Sequence, residues 1–170
     1  MTDRPRPIIV GVIPGQPAAV VAEAAILAGQ VGADLVCAFV DASRYPVREL
    51  PDGTVVAMPI DPDSAESDVA EIDPGLREAI ASALRGSRVR WSLRALAGGA
   101  ARELARLADE LDAAMIVVGT REAGLRGSLH SFFSGSVAVQ LAHHQHRPLV
   151  VIPLNPVSGE DELPWRKDER

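Results

Sequence analysis

Residues 115–137 read MIVVGTREAGLRGSLHSFFSGSV. Met115 to Val118 is an apolar run with no polar alternation, which is how a strand buried on both faces of a parallel sheet reads. Residues 119–137 then carry four glycines, two arginines and four serines, and a helical pattern runs from Ser134 to His144. A buried strand that leaves through a permissive loop and enters a helix is one unit of an alternating α/β chain.

The rest of the chain repeats that unit. Ile8 to Ile13 is another unbroken β-branched run, ended by Pro14 and Gly15. Pro17 suits a first helical turn, and the alanine-rich stretch Ala18 to Gln30 reads as a helix stopped by Gly32. Leu35 to Val40 and Val89 to Leu96 read as further strands. From Ala100 to Leu111 the spacing places Leu104, Leu107, Ala108 and Leu111 on one helical face. Pro148 to Ile152 closes the series. Strands separated by helices of about ten residues need right-handed crossovers. The expected fold class is therefore α/β, a single-domain open parallel five-stranded sheet with helices on both faces.

One stretch breaks the pattern. Residues 42–75 hold five prolines and many acids and read as an irregular insertion, in which LPDGTVVAM around Pro51, Asp52 and Gly53 suits either a small hairpin or a flap. Asp73 then caps a helix opening at Pro74, with Leu76, Ile80 and Leu84 on one face. The domain is expected to span 1–153, followed by a polar C-terminal tail, 154–170, that is either disordered or packed on a partner chain.

Composition excludes several function classes. The chain has 170 residues, 47% of them hydrophobic, enough for one substantial core. Its net charge is −6 with the basic residues scattered, so no nucleic-acid partner is expected. The single cysteine, Cys37, sits in DLVCAFV and reads as a small buried hydrophobe, which fits a reducing cytoplasm. MTDRPRP lacks the apolar core of a signal peptide, and no apolar stretch reaches the ~18 to 20 residues that span a bilayer. A soluble cytoplasmic protein with no membrane partner is expected.

The loop after Val118 leaves the carboxyl end of a parallel strand, where open α/β sheets bind ligands. Gly119, Gly124 and Gly127 permit positive φ and close backbone approach. Ser134, Gly135 and Ser136 present free N–H groups at a helix start, Arg121 and Arg126 supply charge, and Ser134 or Ser136 a hydroxyl. Such a segment is built to cradle phosphate, yet the same residues are also ordinary loop and cap residues. Neither a Walker lysine nor G-x-G-x-x-G accompanies it. Among the histidines, His130 is the one candidate base. His143, His144 and His146 gather at a helix end, where they complement its dipole rather than converge on a metal. No metal ligand or catalytic residue is assigned, and turnover is not expected. Phe132 and Phe133 read as anchors pinning the loop, or as a lid, and Trp91 as core or edge packing.

Four segments, IIVGVIPG, AAVVAEAAILAGQVGADLVCAFV, LAGGAARELARLADELDAAMIVVGT and SGSVAVQLAHHQHRPLVVIP, in this order, resemble the universal stress protein family. The last is the most specific, joining a G-S-V helix entry to a closing R-P-x-V-V-I strand. The resemblance implies strand order 3-2-1-4-5 and a homodimer paired through the last strand, here Leu149, Val150, Val151 and Ile152. It implies ATP as the ligand, with Mg accompanying it, held by the family's G-x2-G-x9-G-[ST] motif. Carried over, Gly119 is the first glycine, Gly124 the middle one, and Gly135 with Ser136 the closing pair. Thr120 and Val137 flank them. The base would meet the strand ends around Val12, Ile13 and Val40. Two departures stand out. Gly119 to Gly135 spans three residues more than the motif, with Glu122 at the strict second-glycine position, and Pro14 and Gly15 replace the Asp-Gly of nucleotide-binding members. The resemblance thus leads to a stress-response regulator binding ATP at the 119–137 loop, at most a slow ATPase, read by an unidentified protein partner. The departures lead to the alternative, a homodimeric scaffold that binds no nucleotide and fills the crevice with its own loop.

Overall fold

The computed structural model describes residues 5–16, 18–51, 55–61, 72–120 and 137–154. In chain order these form β1 (Ile8–Val12), α1 (Ala18–Val31), β2 (Leu35–Asp41), β3 (Arg44–Glu49), β4 (Val55–Pro59), α2 (Pro74–Ala83), β5 (Trp91–Ala97), α3 (Ala100–Glu110), β6 (Met115–Gly119), α4 (Val137–His144) and β7 (Leu149–Ile152). The main sheet runs β5-β2-β1-β6-β7 with every pair parallel. Leaving the β3–β4 hairpin out of the numbering makes this 3-2-1-4-5, the expected order.

β1 is central, and its alternation feeds two cores. Ile9 points into a cluster with Leu104, Leu107 and Ala108 of α3 and Leu141 of α4. Ile8, Val10 and Val12 point the other way, onto Val20, Val21, Ala24 and Ala28 of α1 and Leu76 and Ile80 of α2. Both faces are buried, which is why the strand tolerates no polar alternation.

Helix ends follow local chemistry. Asp73 Oδ1 accepts from Gly75 N–H at 2.8 Å, capping α2 ahead of Pro74. α1 stops at Gly32, whose φ of 68° allows Ala33 N–H to reach back to Ala28 C=O at 2.9 Å. Asp112, φ 46°, does the same for α3 through Ala113 and Ala108, a place where glycine is the usual choice.

Within the stretch expected to be an irregular insertion, the hairpin of the two readings of LPDGTVVAM is the one present. β3 and β4 pair antiparallel, with a register shift between Pro46 and Arg48. Val55 and Ala57 are buried against Leu96, Ala97, Ala101 and Leu104. Arg106 of α3 binds Glu49 of β3 at 3.0 Å, and also Glu103 at 2.9 Å and Glu110 at 3.3 Å. Partial burial works to lower the Arg106 pKa, but the Glu103 hydrogen bond and the three carboxylate charges outweigh it and hold the guanidinium above its ordinary value. The cation therefore stays in place as the clamp between hairpin and helix. Leu154, the first residue past the expected end of the domain, packs on the α1-side core, and its N–H donates to Thr120 Oγ1 at 2.8 Å. Leu163 and Trp165 of the tail lie outside the described residues, as does Pro17.

Cys37 of β2 is fully buried, and burial pushes its thiol up to about 12. The native thiol should resist a thiolate-selective reagent at pH 8 and react at once in denaturant; rapid labelling of folded protein would contradict this burial. Because the folded pKa lies above the unfolded one, the stabilisation is complete below about pH 9. It is lost as pH climbs from there toward 12.

Candidate functional site

Strand order reverses between β1 and β6, since β1 leads to β2 and β5 on one side while β6 leads to β7 on the other. The ladders stop at different heights there. β1 pairs with β6 only as far as Val10–Val117, but with β2 as far as Val12–Phe39. β6 pairs with β7 through Gly119–Ile152, and β2 with β5 through Asp41–Ala97. The facing edges of Gly11 to Val12 and of Val118 to Gly119 therefore have no ladder partner in one another, and the sheet opens at its carboxyl end. Val40 likewise has its β5 edge paired and its β1 edge beyond the ladder.

A tight turn closes β1. Gln16 N–H donates to Ile13 C=O at 3.2 Å, with Pro14 and Gly15 at the corners and Gly15 at φ 74°, the arrangement of a type II turn. The Gln16 side chain folds back, its Oε1 accepting from Ile13 N–H at 3.3 Å. Both backbone groups of Ile13 are thus engaged by one residue, while its side chain is 51% exposed at the crevice.

Opposite stands Gly119. A Cβ there would lie 2.8 Å from Val20 Cγ2, 3.1 Å from Gln16 Nε2 and 3.4 Å from Leu154 Cδ1. The position excludes any side chain because helix α1 and the two turns converge on it, whether or not a phosphate approaches. Thr120 is occupied in the same way: its N–H donates to Ile152 C=O at 2.9 Å and its Oγ1 accepts from Leu154. Toward β2 the crevice is bounded by the hairpin. Asp41 Oδ1 accepts from Ser43 N–H at 2.9 Å and Ser43 Oγ at 2.6 Å, and Oδ2 lies 3.3 Å from the buried Arg44. Val40 packs on the same cluster as Val55 and Ala57.

These features match one family of proteins. The model of the universal stress protein family matches residues 5–153. The chain belongs to the universal stress protein family. A universal stress protein solved in complex with cAMP is 22% identical, with 90% of this chain and 100% of that one covered at a TM-score of 0.61. The Archaeoglobus fulgidus protein in complex with dAMP is 21% identical over 86% and 96%, TM-score 0.52. An Arabidopsis thaliana family protein with AMP bound is 14% identical over 89% and 93%, TM-score 0.53. At these identities the likeness is one of fold. No curated protein sequence matches the chain.

Of the residues that the sequence of this universal stress protein singled out, Val12, Ile13, Pro14, Gly15, Gly119 and Thr120 come together at the β1 and β6 ends. Val40 stands one strand away, and Val137 begins the described part of α4, half-buried on the α3-side core. Arg121, Gly124, Arg126, Ser134, Gly135 and Ser136 lie outside the described residues, as do Glu122, Gly127, His130, Phe132 and Phe133. His143 and His144 sit exposed in the last turn of α4, followed by His146. Among the described residues no three His, Cys, Asp or Glu side chains gather as a metal site, and no helix is long and apolar enough to cross a membrane. A cavity of about 620 Å³ opens at the opposite, amino end of the sheet. Its Arg90 and Arg6 already pair with Asp34 and Asp112. The residue missed in the sequence is Gln16; its neighbours Pro14 and Gly15 marked the turn, but nothing local tells that its amide reaches β6.

Gly119→Ala should destabilise the protein by about 1 to 3 kcal/mol through overpacking against Val20. Gly119→Ala combined with Val20→Ala should lose less Tm than the two single changes summed, because the second removes the methyl that the first meets. If the single change leaves Tm untouched, packing is not what requires this glycine.

Proposed function

We propose that this universal stress protein binds an adenine nucleotide, ATP with its Mg, in the crevice between the β1 and β6 ends, and that occupancy is what a partner protein reads during stress. The observation that carries the reading is the early end of the β1–β6 ladder, which opens a cleft at the switch point of the sheet. Solved members of the same fold that hold cAMP, dAMP and AMP support it. The base would lie by Val12, Ile13 and the open edge of Val40, over the Pro14 and Gly15 turn. The phosphates would run past Gly119 and Thr120 toward Arg121, Gly124, Arg126, Ser134, Gly135, Ser136 and Val137. The role is regulatory rather than catalytic: the bound nucleotide supplies the charge at the crevice that a partner reads. The protein would work in the cytoplasm as a homodimer, pairing through β7, an edge strand whose Val151 is 42% exposed.

A second reading has its own support. The hairpin buries Val55 and Ala57 beside Val40, and Gln16 engages both backbone groups of Ile13. In that reading the chain fills its own crevice and serves as a homodimeric scaffold.

Mass spectrometry of small molecules released on denaturing fresh protein, followed by ATP calorimetry, separates the two. Released adenine nucleotide, or ATP binding that Gly135→Val abolishes in a folded variant, supports the first reading. An empty protein that refuses ATP supports the second. For the dimer, Val151→Asp places a charge on the exposed face of β7 and should halve the mass seen by light scattering; an unchanged mass would rule out that interface.

A further inference from the structure

We propose that Gln16 is the residue through which the crevice reads its ligand, its side-chain amide donating a hydrogen bond to an acceptor atom of the bound nucleotide. This rests on the nucleotide-binding reading above and assigns it a side chain.

The orientation of the amide is set by its neighbour. Ile13 N–H is a donor and needs an oxygen, so Oε1 faces it at 3.3 Å and the NH2 group is turned the other way. That direction leads across the open ladder: Nε2 stands 3.1 Å from the point where a Cβ on Gly119 would be. Glycine at 119 is what leaves room for the amide to lie against β6. Gln16 is half-buried, so two N–H donors are held at the mouth of the crevice with no acceptor among the described residues. Of the other described side chains on these two turns only Thr120 is polar, and its oxygen already accepts from Leu154.

The chemistry narrows what fits. Ile13, which would otherwise offer a backbone donor at the end of β1, has given that donor to Gln16. Gln16 returns a donor further out, on a neutral group that repels neither a base nor a phosphate. A ligand must therefore bring an acceptor to this point, a ring nitrogen, a ribose oxygen or a phosphate oxygen.

Binding of adenosine and AMP to the full chain by calorimetry tests the assignment, using Gln16→Glu and Gln16→Met. Gln16→Glu keeps an oxygen for Ile13 N–H, and with it the turn, but removes the donor. Gln16→Met keeps the length, adds no charge and removes both. Adenosine should bind roughly tenfold more weakly to both variants, while Gln16→Glu melts like the wild type. Loss confined to AMP on Gln16→Met would place the acceptor on the phosphate and still support a reading role. If both ligands bind both variants within about twofold of the wild type, Gln16 merely caps the turn and the proposal fails. A wild-type chain that binds none of adenosine, AMP and ATP removes the nucleotide reading itself, and this one with it.

Discussion

β1 is paired on both edges and covered on both faces, and every other element takes its position from that. A backbone so far from water must satisfy its N–H and C=O groups within the sheet. Its side chains then have only apolar neighbours to meet, Ile9 on the α3 side and Ile8, Val10 and Val12 on the α1 side. Helices α1 and α2 cover one face, α3 and α4 the other, and the crossovers fix the order of strands. The carboxyl end of the sheet is where the chain can be approached.

The ends of the ladders then decide the chemistry. Because β1 and β6 part at Val10–Val117 while their outer ladders continue, a cleft opens at the switch point of the sheet. Its walls do double duty. Gly119 is small because Val20 lies against it, and Thr120 holds the chain after β7, so neither needs a ligand to account for it. Gln16 differs from both: its oxygen closes the β1 turn and its nitrogen is left facing the cleft. The hairpin adds a wall toward β2, held by the Arg106 cluster and by the buried Val55 and Ala57. A site assembled in this way is partly filled by its own scaffold, and any nucleotide has to fit between Gln16 and the hairpin.

The amino-acid sequence by itself determined the fold class. Unbroken apolar runs at 8, 35 and 115, the one-faced helix 100–111, the stop at Gly32 and the cap at Asp73 are all local signals, and the structure has an element boundary or a buried face at each. The sequence also read the glycine loop and the turn at Pro14 and Gly15 as one region; the turn and Gly119 do stand together at the β1 and β6 ends, and the loop beyond Thr120 lies outside the described residues. The sequence left 42–61 open between a hairpin and a flap, because a hairpin with a register shift and a mixed apolar pattern is stabilised by α3 beneath it rather than by its own periodicity. Only the tertiary structure decided what the individual residues are for. Gly119 was legible as a phosphate glycine, yet Val20, Gln16 and Leu154 converge on it from three separate segments. Gln16 carried no signal at all. Spacing along a chain reports neighbours a turn or a pleat away; contacts between the ends of two strands distant in sequence exist only once the sheet has brought them side by side.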